Sequence, residues 1–462
     1  MKVTFVYPRF EKFLTSLPEL GPGLVDYFLG NFTTPPSLGI PILAALTPPD
    51  VDVELVDDNS GQAVDYDAPT DLVAITVDTF SARRAYQVAA EYRRRGVRVA
   101  MGGHHPTLLP EEALQHCDSV VIGDAEGAWE QLIDDARCGP LQRVYSRPRG
   151  ASLGGPLPDR SIFAGKRYAP IALVQYGRGC RYACDFCSVH AFYGDTTVQR
   201  PVEDVVAEIR QLDRKLVFFV DDNIFSSLAA AEALFRAIRP LGIRWACQAS
   251  IDVARHPRLL PLMAASGCIS VLVGFETLDP RNLRQMNKDW NARGESYAEA
   301  IRRIHAHGIM IYGTFVFGYD HDTPEAFDAT VDFAIRSGFF LANFNPLTPT
   351  PGTALYERLA RQQALEYPKW WLDPEYRYGR AIIAPLGMTA VELTEGCLHA
   401  RRRFYGYGNM LGRLRRVPRH VLQPYKLGLY LLSNAISRRE ILRKQGSPLG
   451  PPAALGLPAS RA

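Results

Sequence analysis

The chain has 462 residues, 47% of them apolar and 22% charged, with a formal net charge of +3 at pH 7. This is globular composition with ample material for buried cores, and at roughly 100–200 residues per domain it suggests two to four domains. It excludes a mainly disordered protein, a collagen-like rod and a small disulfide-stapled scaffold, and the charge is too balanced for a nucleic-acid footprint across the whole surface.

Met1-Lys2 leads straight into Val3-Thr4-Phe5-Val6-Tyr7, which reads as a first strand rather than a secretory leader with an apolar core and a cleavage site. No apolar run approaches the ~18 residues of a membrane-spanning helix. The expectation is a soluble cytoplasmic protein whose eight cysteines are reduced thiols or metal ligands rather than disulfides. Arginine outnumbers lysine 44 to 8, with the arginines spread along the chain.

Residues 1–140 alternate strand-like and helix-like patterns. Val3–Tyr7, Val53–Val56, Leu72–Val77, Val97–Met101 and Ser119–Ile122 are short apolar runs. Ala82, Ala85, Val88, Ala89 and Tyr92 fall at helical spacing before Gly96. Such alternation predicts an α/β doubly wound (Rossmann-like) domain of about five parallel strands. Residues 141–168 read as a linker, because Gly150, Gly154, Gly155, Pro156 and Pro158 cluster there.

A second series occupies residues 169–355. Its strand candidates are Ile171–Tyr176, Leu216–Val220, Trp245–Ser250, Ser270–Gly274, Met310–Phe317 and Phe340–Phe344. Helices open at Pro201, Pro257 and Thr323-Pro324-Glu325. Six strand–helix repeats predict a (βα)6 partial barrel, with chemistry at the C-terminal strand ends. Residues 356–445 form a mainly helical C-terminal extension, and the Pro-, Gly- and Ala-rich stretch 446–462 reads as a disordered tail.

The strongest chemical signal is Gly179-Cys180-Arg181-Tyr182-Ala183-Cys184-Asp185-Phe186-Cys187, placed just after the first strand of the second series. Three thiolates within eight residues can share one soft metal centre. With His190 they could also complete a Cys3His zinc site, although zinc sites more often pair two separate two-ligand turns.

The spacing Cys-x3-Cys-x-aromatic-Cys, here Cys180, Cys184, Phe186 and Cys187, resembles the signature of the radical S-adenosylmethionine (SAM) superfamily. The resemblance implies a 4Fe-4S cluster with three protein ligands, whose open iron chelates the amino and carboxylate groups of SAM. Electron transfer then cleaves the sulfonium and releases a 5′-deoxyadenosyl radical. It further implies SAM contacts at Phe186, at Asp221 and Asp222 after the second strand, at Gln248 and Ser250 after the third, and at Glu276 after the fourth, where the ribose hydroxyls would lie. Gly313 to Gly318 would back the adenine, and Pro349-Thr350-Pro351-Gly352-Thr353 resembles a turn common in this branch. Ordinary readings stand beside these: turn chemistry or a helix cap for Asp221-Asp222-Asn223, and a solvent-facing strand-end carboxylate for Glu276.

A doubly wound domain ahead of the cysteines resembles the cobalamin (B12)-binding domain of the cobalamin-dependent radical SAM enzymes. Pro36-Ser37-Leu38-Gly39-Ile40, Asp71 to Thr76, Gly102-Gly103-His104-His105-Pro106-Thr107 and Val121 to Glu126 carry that resemblance. It implies a cobalamin site built from Ser37, Leu38, Thr76, Gly102, Gly103, His104, Gly123 and Glu126, with glycines admitting a flat macrocycle close to the backbone. The Asp-x-His-x-x-Gly motif by which many cobalamin proteins supply a histidine to cobalt is absent, as in much of the radical branch. Gly123-Asp124-Ala125-Glu126 stands where relatives often carry Gly-Glu-Gly-Glu. His104 and His105 read as surface loop histidines after a Gly-Gly turn.

Three functions compete. Cobalamin-dependent radical C-methylation of a small molecule, such as a natural product of antibiotic biosynthesis, is the favoured one. The second is cobalamin-independent radical dehydration or deoxygenation of a diol, for example on an aminoglycoside sugar, or another radical rearrangement. There Asp185, Asp222 or Glu276 would act as acid and base, and a separate reductase would follow. The third is a non-catalytic cobalamin or iron–sulfur sensor, which has no use for an open iron. Either enzyme would draw electrons from a flavodoxin- or ferredoxin-type donor. Arg401-Arg402-Arg403, Arg413, Arg415 and Arg416 could contact nucleic-acid phosphates. No RNA-binding module is recognisable, however, and Trp370, Trp371, Tyr376 and Tyr378 equally suit packing over the active site. Cys117, Cys138, Cys247, Cys268 and Cys397 read as buried structural thiols.

Overall fold

Apolar runs too short for anything but strands, separated by helices with one apolar face, give two parallel six-stranded sheets. The computed structural model describes residues 1–9, 36–148, 154–294, 296–416 and 423–450. They divide into two units, each described by itself below. Residues 451–462, most of the stretch read as a disordered tail, lie outside the described residues, as does part of the expected linker, 149–153.

The first unit contains β1 (Lys2–Tyr7), β2 (Asp52–Asp57), β3 (Leu72–Thr76), β4 (Arg98–Gly102), β5 (Ser119–Ile122) and β6 (Val144–Ser146) in the order β2-β1-β3-β4-β5-β6. Every pairing is parallel. Val3, Thr4, Phe5 and Val6 are buried in succession, as in a strand covered on both faces. The helix Ala82–Arg94 buries Ala82, Ala85, Val88, Ala89 and Tyr92, the face its spacing predicts. From the helix Ala128–Cys138, Trp129 packs on Phe5 with ring centroids 5.4 Å apart and donates its Nε1–H to Thr47 at 2.9 Å. The sheet has one strand more than expected. β6 lies inside the predicted linker, and Tyr145 anchors it, 2% exposed, by donating to Asp135 at 2.7 Å.

Two late stretches, 367–378 and 446–450, belong to this first unit and not to a C-terminal extension. The physical reason is a buried carboxylate, Glu112. It accepts hydrogen bonds from Trp371 Nε1 at 2.8 Å and Tyr86 OH at 3.2 Å, meets His105 Nε2 at 3.2 Å, and pairs with Lys369 at 3.1 Å. Trp370, Trp371 and Tyr376 are at most 1% exposed, and Trp370 packs on Phe80 at 4.8 Å. The aromatic cluster is therefore core of the first unit, not a cover for an active site. His105 is likewise no surface residue: it is fully buried, with Nδ1 3.3 Å from Thr79 and Nε2 3.0 Å from Tyr86.

The second unit comprises 170–366 and 379–445. Its main strands are β7 (Ala172–Val174), β10 (Leu216–Phe219), β11 (Arg244–Ala249), β12 (Cys268–Glu276), β13 (Met310–Phe317) and β14 (Leu341–Pro346), paired β14-β13-β12-β11-β10-β7 and all parallel. A small antiparallel ribbon, β8 (Gly177–Arg178) with β9 (Val198–Gln199), follows β7. Stacked rings fill the interior: Phe275 on Phe315 at 5.7 Å, and Phe315 on Phe344 at 5.5 Å.

Helices Ala390–Phe404 and Pro424–Lys444 close over β14. Arg401 donates to the Phe344 carbonyl at 2.9 Å, and Asn434 to the Phe340 carbonyl at 3.1 Å. Arg401 and Arg413 are buried, and Arg403 pairs with Asp328 and Asp332. These members of the arginine run serve internal packing and leave a thin case for a phosphate-binding face. Among the remaining cysteines, Cys117, Cys247, Cys268 and Cys397 are buried as expected, whereas Cys138 is exposed.

The Glu112 contacts carry a pH signature. Burial pushes this carboxyl up, but His105, Trp371 and Lys369 outweigh burial and hold it at about 2. A carboxyl depressed on folding stabilises the folded state above its ordinary range, and that contribution fades as pH falls toward the folded value. Urea unfolding of wild type and Glu112→Gln should thus differ by about 1–3 kcal/mol at pH 7. The gap should shrink as pH drops below about 4.5. A gap that is independent of pH would contradict this.

Candidate active site

The loop after β7 is shaped by carboxylates from the end of β10. Asp221, 2% exposed, accepts from the backbone N–H groups of Tyr176 (3.0 Å) and Gly177. Asp222 accepts from Gly179 N–H at 2.8 Å. Ser226 donates to the Gly179 carbonyl at 3.2 Å. Gly179 has φ +80°, and a Cβ there would collide with the Thr196 carbonyl oxygen. Three polar side chains and one obligatory glycine thus aim the following cysteines.

Both Asp221 oxygens accept from loop backbone, so Asp221 builds the loop as well as standing where the sequence reading puts a SAM contact. Burial pushes its carboxyl up to about 7. Asp222 has the same building role toward Gly179. Gln248 Nε2 reaches the Asp221 carbonyl at 3.4 Å. Ser250 accepts from Asn223 Nδ2 at 3.2 Å, and the same amide reaches Cys180 Sγ at 3.7 Å. Asp185, a candidate acid or base, accepts from Tyr319 OH and Arg358, both at 2.8 Å, and so holds the loop to later elements.

Two of the three thiols, Cys180 and Cys187, lie near backbone N–H groups. That of Tyr182 favours the Cys180 thiolate. Cys187 is the N-cap residue of the helix Ser188–Tyr193, and the nearby N–H groups of Val189 and His190 favour its thiolate. Burial pushes all three thiols up, Cys184 to about 12, while the Lys288 ammonium pulls each the other way. Among the described residues, no three His, Cys, Asp or Glu side chains are gathered closely enough to share one metal ion. The Cys3His zinc arrangement is therefore not formed. A cluster offers a different iron to each cysteine, so it does not need the three thiols to meet at one point.

Opposite the cysteines stands a group that sequence reasoning missed. Glu276 ends β12 where its register with β13 shifts, and it has φ +63°. It is buried, not solvent-facing, and pairs with Lys288 Nζ at 2.7 Å. Lys288 lies 5.9 Å from the Phe186 ring centroid and 5.4 Å from Trp290. Trp290 stacks on Tyr182 at 3.4 Å, and Tyr182 donates to Asp252 at 2.7 Å. Among the described residues no partner reaches Trp290 Nε1, Asp252 Oδ1 or Asn291 Oδ1, although all three atoms are buried. Unpaired buried polar atoms beside a thiol loop mark a place where a polar ligand belongs. The available signal was Lys288 itself, one of eight lysines in a chain otherwise given to arginine.

In the first unit, Thr76, Gly102 and Gly103, and Gly123 lie at or just beyond the C-terminal ends of the adjacent strands β3, β4 and β5. Gly103 has φ +109°, and a Cβ would strike the Val77 backbone. Gly123 has φ +80° with nothing within 4 Å of its missing Cβ, and its N–H donates to Thr107 at 2.9 Å. Ser37 accepts from Gly39 N–H at 3.3 Å, beside the buried Leu38. His104 opens the short helix His104–Leu108, and Glu126 follows β5. A strand edge turned by glycines and open at Gly123 fits a flat macrocycle or its nucleotide tail. His105 cannot serve as a cobalt ligand, because both its ring nitrogens are engaged.

Comparison with known proteins agrees with this division. The B12 binding domain family model matches residues 33–133, and the Radical SAM superfamily model matches residues 174–334. The chain is 30% identical over 393 residues to the bacteriochlorophyllide d C-12(1)-methyltransferase of Chlorobaculum tepidum, covering 82% of this chain and 85% of that protein. It is 27% identical to the hopanoid C-2 methylase of Rhodopseudomonas palustris, covering 79% of this chain and 71% of that one. Its fold is similar to the radical SAM methyltransferase TsrM from Kitasatospora setae, solved with cobalamin and a [4Fe-4S] cluster. The TM-score is 0.60 at 18% identity, with 78% of this chain and 75% of that chain covered. It is also similar to the cobalamin-dependent SAM radical enzyme OxsB, with TM-score 0.64 at 14% identity and 95% and 72% covered.

Gly179→Ala tests the loop geometry. The added methyl collides with fixed backbone, so anaerobically reconstituted protein should carry several-fold less iron than wild type while retaining its helical circular dichroism. Wild-type iron content in this variant would contradict the geometry.

Proposed function

The chain belongs to the radical SAM superfamily, in the branch with an N-terminal B12-binding domain, and on that premise we propose that it is a cobalamin-dependent radical C-methyltransferase acting on a small molecule. The observation that carries this reading is one chain holding both a three-cysteine loop shaped by Asp221 and Asp222 and a glycine-turned strand edge open at Gly123. When bound, the cluster supplies the electron that cleaves SAM, and cobalamin supplies a carried methyl group.

The chain's own residues do the holding. Cys180, Cys184 and Cys187 ligate the cluster and leave one iron open. Phe186, within the loop, walls the site. Gln248 and Ser250 stand at the end of β11, and Glu276 at the end of β12 is placed to accept the ribose hydroxyls of SAM. The free Trp290 Nε1, Asp252 Oδ1 and Asn291 Oδ1 offer one donor and two acceptors to a bound polar molecule. In the first unit, Ser37, Leu38, Thr76, Gly102, Gly103, His104, Gly123 and Glu126 form the cobalamin edge, without a histidine ligand from His105.

Dehydration of a diol is the weaker reading. It asks carboxylates to move protons, yet Asp185 is held by Arg358 and Tyr319, and Glu276 by Lys288. The electron donor is of flavodoxin or ferredoxin type. No described helix is long and apolar enough to cross a membrane.

Wild-type protein incubated anaerobically with reductant and SAM should form 5′-deoxyadenosine, and Cys184→Ala should form none. Full formation by Cys184→Ala would sink the assignment. Glu276→Gln should keep its iron and bind SAM about tenfold more weakly, the worth of one charge-assisted hydrogen bond; an unchanged dissociation constant would refute the ribose role.

A further inference from the structure

We propose that the buried Lys288–Glu276 pair sets the reduction potential of the cluster on Cys180, Cys184 and Cys187, Lys288 raising it and Glu276 lowering it. The inference rests on the cluster reading above and deepens it.

The geometry begins with Met286-Asn287-Lys288, which is sewn onto the cysteine loop. The Met286 carbonyl accepts from Asp185 N–H at 3.0 Å, and Asn287 Nδ2 donates to the Ala183 carbonyl at 2.7 Å. Both contacts flank Cys184, so the segment cannot move without moving the thiols. Asn287 has φ +55° and Glu276 has φ +63°, two of only three non-glycine residues with positive φ among the described residues. At Glu276 such a conformation is held only by the surrounding structure.

The charges are also shielded from water. Lys288 is 8% exposed and Glu276 7%. Aromatic rings of Phe186 and Trp290 stand over the ammonium in place of solvent. Fixed charges in so dry a place act over longer distances than surface charges. Lys288 stands beside the loop itself, 5.9 Å from the ring centroid of Phe186, which lies between Cys184 and Cys187.

Reduction adds an electron to a thiolate-bound site. A nearby cation stabilises the reduced state more than the oxidised one and moves the potential up, whereas a carboxylate opposes it. Net charge and hydrogen bonds to sulfur are the levers by which proteins set such potentials. Pairing the cation with Glu276 lowers the cost of burying it and tempers its effect. A pair that only held the loop would leave the midpoint unmoved when either member is replaced by a neutral residue of similar size.

The test is a redox titration of the anaerobically reconstituted full chain without SAM, followed by electron paramagnetic resonance of the reduced cluster. Lys288→Met should move the midpoint to more negative potential and Glu276→Gln to more positive potential. Lys288→Arg should stay near wild type, and the double variant should fall between the single ones. Midpoints that do not move, or that move the same way in both single variants, overturn the proposal. If Lys288→Met loses its cluster, the Glu276→Gln midpoint decides: unchanged or lowered overturns the proposal, raised supports it. A wild-type chain with no reducible iron–sulfur signal instead removes the cluster reading itself, and this proposal with it.

Discussion

The active-site unit depends on one buried interaction: the Asp221 carboxylate gripping the backbone where the chain leaves β7. An extended chain running out of a parallel sheet has no partner for its next N–H groups, and leaving them unpaired in a buried place is costly. Asp221 satisfies two of them, and Asp222 a third at Gly179. The turn so formed delivers Cys180, Cys184 and Cys187 onto one loop, and Asp185 then ties that loop to Tyr319 and Arg358. The two aspartates that look like ligand residues in the sequence also hold, in the fold, the backbone that leads into the cysteines. The loop ends where a helix begins, and helix N-termini leave N–H groups unpaired, which puts Cys187 beside them.

Local signals were legible in the sequence. The strands β10 to β14 and the buried face of the helix Ala82–Arg94 follow directly from apolar periodicity. So does the place of the cysteines beyond β7. What could not be read were features that exist only through distant partners. β6 has three residues and an exposure pattern no different from a loop's, and it is a strand only because β5 offers an edge. Trp370 and Trp371 carry no address in the sequence; Phe80 and Glu112, some 260–290 residues away, supply it. Lys288 was missed for the same reason, since a lysine twelve residues after a glutamate gives no hint that the pair is buried.

Fold and chemistry meet at strand ends in both units. In the first, Gly123 leaves backbone uncovered beyond β5, and Gly103 lets the chain after β4 pass close to the Val77 backbone. In the second, side chains from the ends of β10, β11 and β12 converge on the cysteine loop. Parallel sheets place their strand termini, with the loops that follow, on a common edge, which is why ligand sites gather there. The matches to the B12 binding domain and the radical SAM superfamily fall on these two sheets separately. The methylation reading needs both edges to work, and the dehydration and sensor readings each leave one without a purpose.

The measurement that bears most directly on this account is metal and cobalamin content of the wild-type chain, purified anaerobically from cells supplied with cobalamin, together with its absorption spectrum. The account predicts about four irons per chain with a cluster absorption band, and about one cobalt bound as cobalamin. Iron without cobalt, under saturating cobalamin, would contradict the methyl-transfer function; zinc in place of iron would contradict the active site as well.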